Sequence, residues 1–151
     1  MPRKTPEQDL VDAFDAELHN HQDSHLRIET LINQNCKAKK YSDIEYISVS
    51  KTHWVIEAKS NDSGDAHNSV HKIFGELLKE TGRDDRANCN FAILIPEASL
   101  NFYSRAFQSI NSKKFIDFGK LIPVHTVFTF SSSGIGRGSW GELYSYHAPN
   151  K

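Results

Sequence analysis

Asp43, Glu57 and Lys59 are the residues of this chain whose types and spacing suit chemistry: two acids with 13 residues between them, the second of them in Glu57-Ala58-Lys59. In a β-strand, side chains at i and i+2 point to the same face. A strand over 53–60 therefore presents Glu57 and Lys59 together, while Trp54, Ile56 and Ala58 point the other way. An acid and an amine then stand side by side at the end of an otherwise apolar strand. Asp43 and Glu57, with the backbone carbonyl of Ala58, are hard oxygen donors of the kind that hold Mg²⁺, with Mn²⁺ as its expected substitute. A metal there lowers the pKa of a bound water and shields a phosphate, and Lys59 orients that water or stabilises charge building on phosphorus. The chemistry these parts suit is metal-assisted hydrolysis of a phosphodiester. The competing reading is a cross-strand salt bridge on a solvated surface, an interaction of low value.

Bringing Asp43 to the other two requires particular elements. Residues 41–50 are rich in β-branched and aromatic side chains, Lys51-Thr52 is a short polar link, and 53–60 is a second strand, which together read as a β-hairpin. A three-residue link centred on Lys51 pairs residues whose numbers sum to 102, setting Asp43 opposite Lys59 and Glu45 opposite Glu57 on one face. A two-residue link sends Asp43 to the other face unless a bulge intervenes. An active site therefore predicts an odd-length loop or a bulge.

Upstream, Thr5, Pro6, Gln8 and Asp9 form a helix start, and Leu10, Phe14 and Leu18 follow at helical spacing, predicting a helix over 5–21. Asp23 and Ser24 cap a second helix at about 25–36, although Leu26, Ile28, Thr30 and Ile32 alternate as a strand over 26–32 would. Downstream come a helix over 66–81, with Val70, Ile73, Phe74, Leu77 and Leu78 on one face, and a buried strand over 90–95 ended by Pro96. A helix over about 98–110 burying Leu100, Tyr103, Phe107 and Ile110, a strand over 121–130, a flexible turn region over 131–141 and a possible last strand over 142–147 complete the chain. The order predicts an α/β or α+β fold in which helices flank a mixed sheet. One domain over 1–151 is expected, with a core at about 24–130 and a C-terminal tail over 131–151.

Ser42-Asp43 and Glu57-Ala58-Lys59, on a hairpin whose apolar Trp54-Val55-Ile56 run leads into the acid, resemble the PD-(D/E)xK, or restriction-endonuclease-like, nuclease superfamily. The element order also resembles that superfamily's αβββαβ core, over about residues 24–95. The resemblance implies a nuclease acting on DNA, with Asp43 and Glu57 binding Mg²⁺ and Lys59 assisting the water. It implies a further glutamate from the helix before the hairpin, for which Glu29 is the better candidate and Glu17 the reserve. It also implies a polar residue from the helix after the motif, here Glu76 in Gly75-Glu76-Leu77. Ser42 stands where the motif has proline, and the interval between Cys36 and Asp43 is short for the strand the core needs there. If 26–32 is that strand, Glu29 has no helical role. A nuclease-fold module that binds nucleic acid or a protein partner without catalysis is the alternative reading.

At 151 residues, with 38% hydrophobic and 25% charged residues, the composition excludes collagenous, disordered and membrane-spanning classes. No apolar run approaches the roughly 18 residues of a membrane span, and the opening residues lack the apolar stretch of a signal peptide, so a soluble cytoplasmic protein is expected. Cys36 and Cys89 form no CxxC pair and are expected to be buried thiols. His67 and His71 are spaced i, i+4 without an HExxH glutamate, and His19, His21 and His25 read as helix-surface residues. The net charge of −1 divides into −1 over 1–40, −4 over 41–100 and +4 over 101–151. The acidic middle holds the proposed ligands, and Lys113, Lys114, Lys120 and Arg137 in the basic third are candidates to hold DNA phosphates. Weak, metal-dependent DNA binding is the expectation. Cutting both strands calls for a homodimer, with Tyr103, Phe107, Phe115, Phe118, Trp140 and Tyr144 as its expected interface.

Overall fold

A computed structural model describes residues 6–34, 44–59, 73–79 and 88–145. The strands β1 (Ile28–Gln34), β2 (Ile44–Ser48), β3 (His53–Ala58), β4 (Asn90–Pro96), β5 (Thr126–Ser131) and β6 (Gly134–Gly138) form one mixed sheet in sequential order. The first three are antiparallel neighbours, β3, β4 and β5 run parallel, and β6 returns antiparallel to β5. Around them lie α1 (Pro6–His19), α2 (73–79), a 3₁₀ turn (Glu97–Ser99), α3 (Leu100–Phe107), α4 (Ser112–Leu121) and α5 (Trp140–Ser145).

Strand alternation divides the core into two layers. On one face, Phe14 and Leu18 of α1 pack over Trp54, Ile56, Ala58, Leu94 and Phe128. On the other, Ile93, Ile95 and Val127 lie under α2, α3, α4 and α5 through Leu77, Tyr103, Phe107, Phe115 and Trp140. Strand β4 is buried on both faces, which is why 90–95 reads as an unbroken apolar run. The result is an α+β fold in which helices cover both sides of a six-stranded mixed sheet. Among the described residues no helix is long and apolar enough to cross a membrane.

Several elements differ from expectation. The segment expected as a helix over 25–36 contains β1, so Glu29 sits on a strand. Two register irregularities against β2 break the alternation after Ile28 and leave both Leu31 and Ile32 exposed. Ser112–Leu121, which carried no expectation as a helix, forms α4, capped where the Asn111 side chain accepts from the Lys114 amide at 3.2 Å. Because α4 runs to Leu121, the expected strand begins at Thr126 rather than at 121, and Pro123 lies between them in a cis Ile122–Pro123 bond. The expected turn region over 131–141 contains β6, and in place of the last strand over 142–147 there is α5. A reciprocal capping box starts that helix: the Glu142 amide donates to Ser139 Oγ at 3.0 Å, and the Ser139 amide to Glu142 Oε1 at 2.7 Å.

Four of the six aromatics expected at a dimer interface belong to the core, and Phe118 and Tyr144 are half-buried against it. Tyr103, Phe107, Phe115 and Trp140 are buried, and the Phe115 and Trp140 rings stack with centroids 4.3 Å apart. Trp140 Nε1 donates to the Phe115 carbonyl at 2.6 Å, and a Cβ at Gly119 would overlap the Trp140 ring. Helix faces with this much apolar area are used in covering the sheet.

Candidate active site

The β2–β3 hairpin sets the site. Its turn is closed by the Lys51 amide donating to the Ser48 carbonyl and the Ser48 amide donating to the Thr52 carbonyl, both at 2.8 Å. The loop is Val49-Ser50-Lys51, of odd length as the site requires, with Lys51 in the left-handed region at φ 73°. Its centre, however, is Ser50 and not Lys51. Partner numbers therefore sum to 100: Ile44 with Ile56, Glu45 with Val55, Tyr46 with Trp54 and Ile47 with His53. The expected pairing of Glu45 with Glu57 is thus corrected by two residues, and because the slip is even, both acids keep the same face. Asp43, and the pairing with Lys59 expected of it, lie outside the described residues.

Contacts far along the chain fix this register. The Val49 amide donates to the Arg27 carbonyl at 2.8 Å and the Ser50 amide to the Ser24 carbonyl at 3.1 Å. His25 Nδ1 lies 3.1 Å from Ser50 Oγ and 3.0 Å from Thr52 Oγ1, and the His25 carbonyl accepts from Trp54 Nε1 at 3.1 Å. His25, expected on a helix surface, is a clamp between the segment before β1 and the hairpin turn.

Glu57 and Lys59 are only 8% and 6% exposed. Behind them the strand is held by Trp54, Ile56 and Ala58 under α1, and ahead of them by β4, with Glu57 paired to Ile93 and the Lys59 amide donating to the Leu94 carbonyl at 2.8 Å. That last bond carries the β3–β4 ladder one residue past Ala58, which fixes where the Lys59 side chain starts. Its Nζ forms an ion pair with Glu76 Oε1 on α2. Burying an ammonium is costly unless it is paired, and Glu76 supplies the partner while remaining 46% exposed itself, so the pair opens to solvent on one side. The structure thus brings Glu57, Lys59 and Glu76 to one face at the carboxyl end of β3.

A second acid shares that face. The Glu45 carboxylate, 8% exposed, lies 2.6 Å from His53 Nε2, nearer the turn. The sequence reading did not assign it a role; the available signal was its parity with Glu57 between the apolar Ile44 and Tyr46. Among the described residues no three His, Cys, Asp or Glu side chains are grouped to hold a metal. The donors present nevertheless fit Mg²⁺ in kind, since a buried carboxylate and a neighbouring carbonyl are hard oxygens and this ion commonly takes one or two carboxylates beside water and phosphate.

The remaining candidates lie elsewhere. Glu29 is exposed on β1 and pairs with Lys51 at the turn, eight residues or about 25 Å of strand from Lys59. Glu17 is exposed on α1, the helix that covers the opposite face. Lys113, Lys114 and Lys120 are exposed on α4. Lys113 Nζ donates to Asp117 Oδ2 at 2.6 Å, a bond that raises the lysine's pKa and lowers that of the acid. Arg137 points to the α1 side, 3.5 Å from Asp23, so these four cations do not form one patch. Cys89 is a buried thiol, as expected. His67, His71 and Cys36 lie outside the described residues. On the α1 side, burial pushes the Asp15 carboxyl above its ordinary range, and Tyr46, whose buried hydroxyl has no hydrogen-bond partner among the described residues, is raised for the same reason. No family model, no curated protein and no solved structure matches this chain.

Proposed function

We propose that this protein is a Mg²⁺-dependent nuclease that hydrolyses DNA phosphodiester bonds at the carboxyl end of β3. The observation that carries the reading is the burial of Glu57 and Lys59 side by side on one face of a strand whose other face is wholly apolar. The order α1, β1, β2, β3, α2, β4 also supports a restriction-endonuclease-like core, with α2 between the parallel strands β3 and β4.

In this reading Glu57 and the Ala58 carbonyl would hold the ion together with Asp43, which immediately precedes Ile44, the partner of Ile56. When bound, Mg²⁺ supplies a more acidic water and neutralises phosphate charge. Lys59 presents its ammonium to the attacking water or to the oxygens of the reacting phosphate, where charge develops. Glu76 keeps that ammonium paired until substrate arrives, and it aims Lys59 across the strand end.

Purified protein incubated with duplex, single-stranded and branched DNA in Mg²⁺ or Mn²⁺ tests this. Cleavage of at least one substrate is expected, falling by about 10²-fold or more in Glu57→Ala and in Lys59→Ala. Failure to cut any of them, or full activity in both variants, overturns the proposal. The binding-module reading draws on the Lys59–Glu76 pair, which already occupies the amine. It gains if Mn²⁺ binding, measured by calorimetry, is abolished by Asp43→Ala while no DNA is cut.

A further inference from the structure

Beside the proposed site the sheet carries a second concave feature. Ala58 pairs with Leu94, and Ile95 with Thr129, so Lys59, Ile95 and Thr129 succeed one another across three parallel strands on one face. Two strand spacings place Thr129 about 10 Å from Lys59. There a cavity of about 260 Å³ opens, with Leu100, Val127 and Leu143 as its apolar lining and Thr129, Arg137, Ser139 and Glu142 as its polar groups.

The edge strand makes room for it. Gly134, Gly136 and Gly138 pair with Ser131, Thr129 and Val127, so all three lie on the cavity's face and leave β6 without side chains there. A Cβ at Gly136 would lie 2.5 Å from Thr129 Oγ1, and one at Gly138 would lie 3.2 Å from Glu142 Oε1. The capping box with Ser139 fixes the Glu142 carboxylate at the rim. A flat backbone wall, an apolar lining and a fixed acceptor suit a planar ring that carries an amine; the carboxylate disfavours a phosphate, and the Arg137 guanidinium is turned to the α1 side, 3.5 Å from Asp23.

We propose that this cavity takes the nucleobase of an unpaired nucleotide in the DNA strand whose phosphate lies at Glu57 and Lys59. This rests on the nuclease reading and narrows its substrate to single-stranded DNA or a nucleotide turned out of a duplex. Glu142 accepts from an exocyclic amine, which cytosine and adenine have and thymine lacks.

Amide chemical shifts of the full chain, followed by NMR without divalent metal, test the cavity separately from catalysis. The probes are dCMP, dTMP and deoxyribose 5-phosphate. With dCMP the amides of Thr129, Gly136, Gly138 and Ser139 are expected to shift, with roughly fivefold weaker binding for dTMP and no localised shift for deoxyribose 5-phosphate. Gly138→Leu, which fills the cavity, is expected to remove the response. Glu142→Gln keeps the cap and is expected to erase the preference for dCMP over dTMP. No base-dependent shift at these amides, or a preference unchanged in Glu142→Gln, overturns the proposal even where DNA is cut. Localised shifts in a protein that cuts no DNA support the cavity and overturn the nuclease reading instead.

Discussion

Two lysine–glutamate pairs decorate the same hairpin and differ in almost everything but composition. Lys51 and Glu29 meet at the turn with side chains 71% and 41% exposed, whereas Lys59, at the far end of β3, is 7% exposed where it meets Glu76. At the turn, water can solvate either charge alone, and the pair contributes little. At the strand end the amine has lost most of its water, so its partner is a condition for keeping it in place. The same two residue types are therefore an ornament in one position and a candidate functional device in the other, and burial, not charge, tells them apart.

The largest expected effect separates chemistry from folding at Lys59. Lys59→Met replaces the amine by an apolar side chain of similar length; stability measured by urea unfolding should change by less than about 1 kcal/mol, while cleavage should fall by about 10²-fold or more. A loss of several kcal/mol would make Lys59 a structural residue and collapse the contrast with Lys51.

Removing the partner instead should cost stability. Glu76→Ala leaves a buried ammonium unpaired and is expected to destabilise by about 1–2 kcal/mol, a figure reduced from that of a fully buried pair because Glu76 itself is half exposed. Glu76→Gln, which keeps a hydrogen-bond acceptor, should lose less.

At the turn the expected changes are smaller and can run the other way. Lys51 holds a left-handed backbone at φ 73°, so Lys51→Gly gives up the ion pair but relieves a strain of about 1 kcal/mol, leaving stability unchanged or slightly higher. Glu29→Ala should shift stability by less than about 0.5 kcal/mol, and that shift should vanish in high salt. A larger, salt-resistant effect would show that Glu29 does more than its exposure suggests.

What could be read from the sequence follows the range of the forces involved. Strands β3 and β4 were legible because their burial is written in local alternation and in an apolar run. Placing Glu57 with Lys59 needed only the two-residue period of a strand. Helix α5 was missed although its capping box, Ser139-x-x-Glu142, is local, because the Leu143 and Tyr144 that follow suit a strand equally well. Strand β1 was ambiguous because Ile28 and Ile32 fit both a helix face and an alternating strand, and its irregularities against β2 blur the second pattern. The hairpin register escaped because the turn is docked on Ser24 and Arg27, more than twenty residues away, and no local rule carries that information. The buried Glu45–His53 pair escaped for a related reason, since which face of β2 is covered is settled only by the assembled layers.

On the proposed function the buried lysine, and not the exposed one, is chemical. The direct measurement is the rate of DNA cleavage in Mg²⁺ by Lys59→Met and by Lys51→Met, side by side with the unaltered protein. Lys51→Met should cut within about twofold of the unaltered rate and Lys59→Met about 10²-fold or more slowly. Equal rates in the two variants, or no cleavage by the unaltered protein, would contradict it.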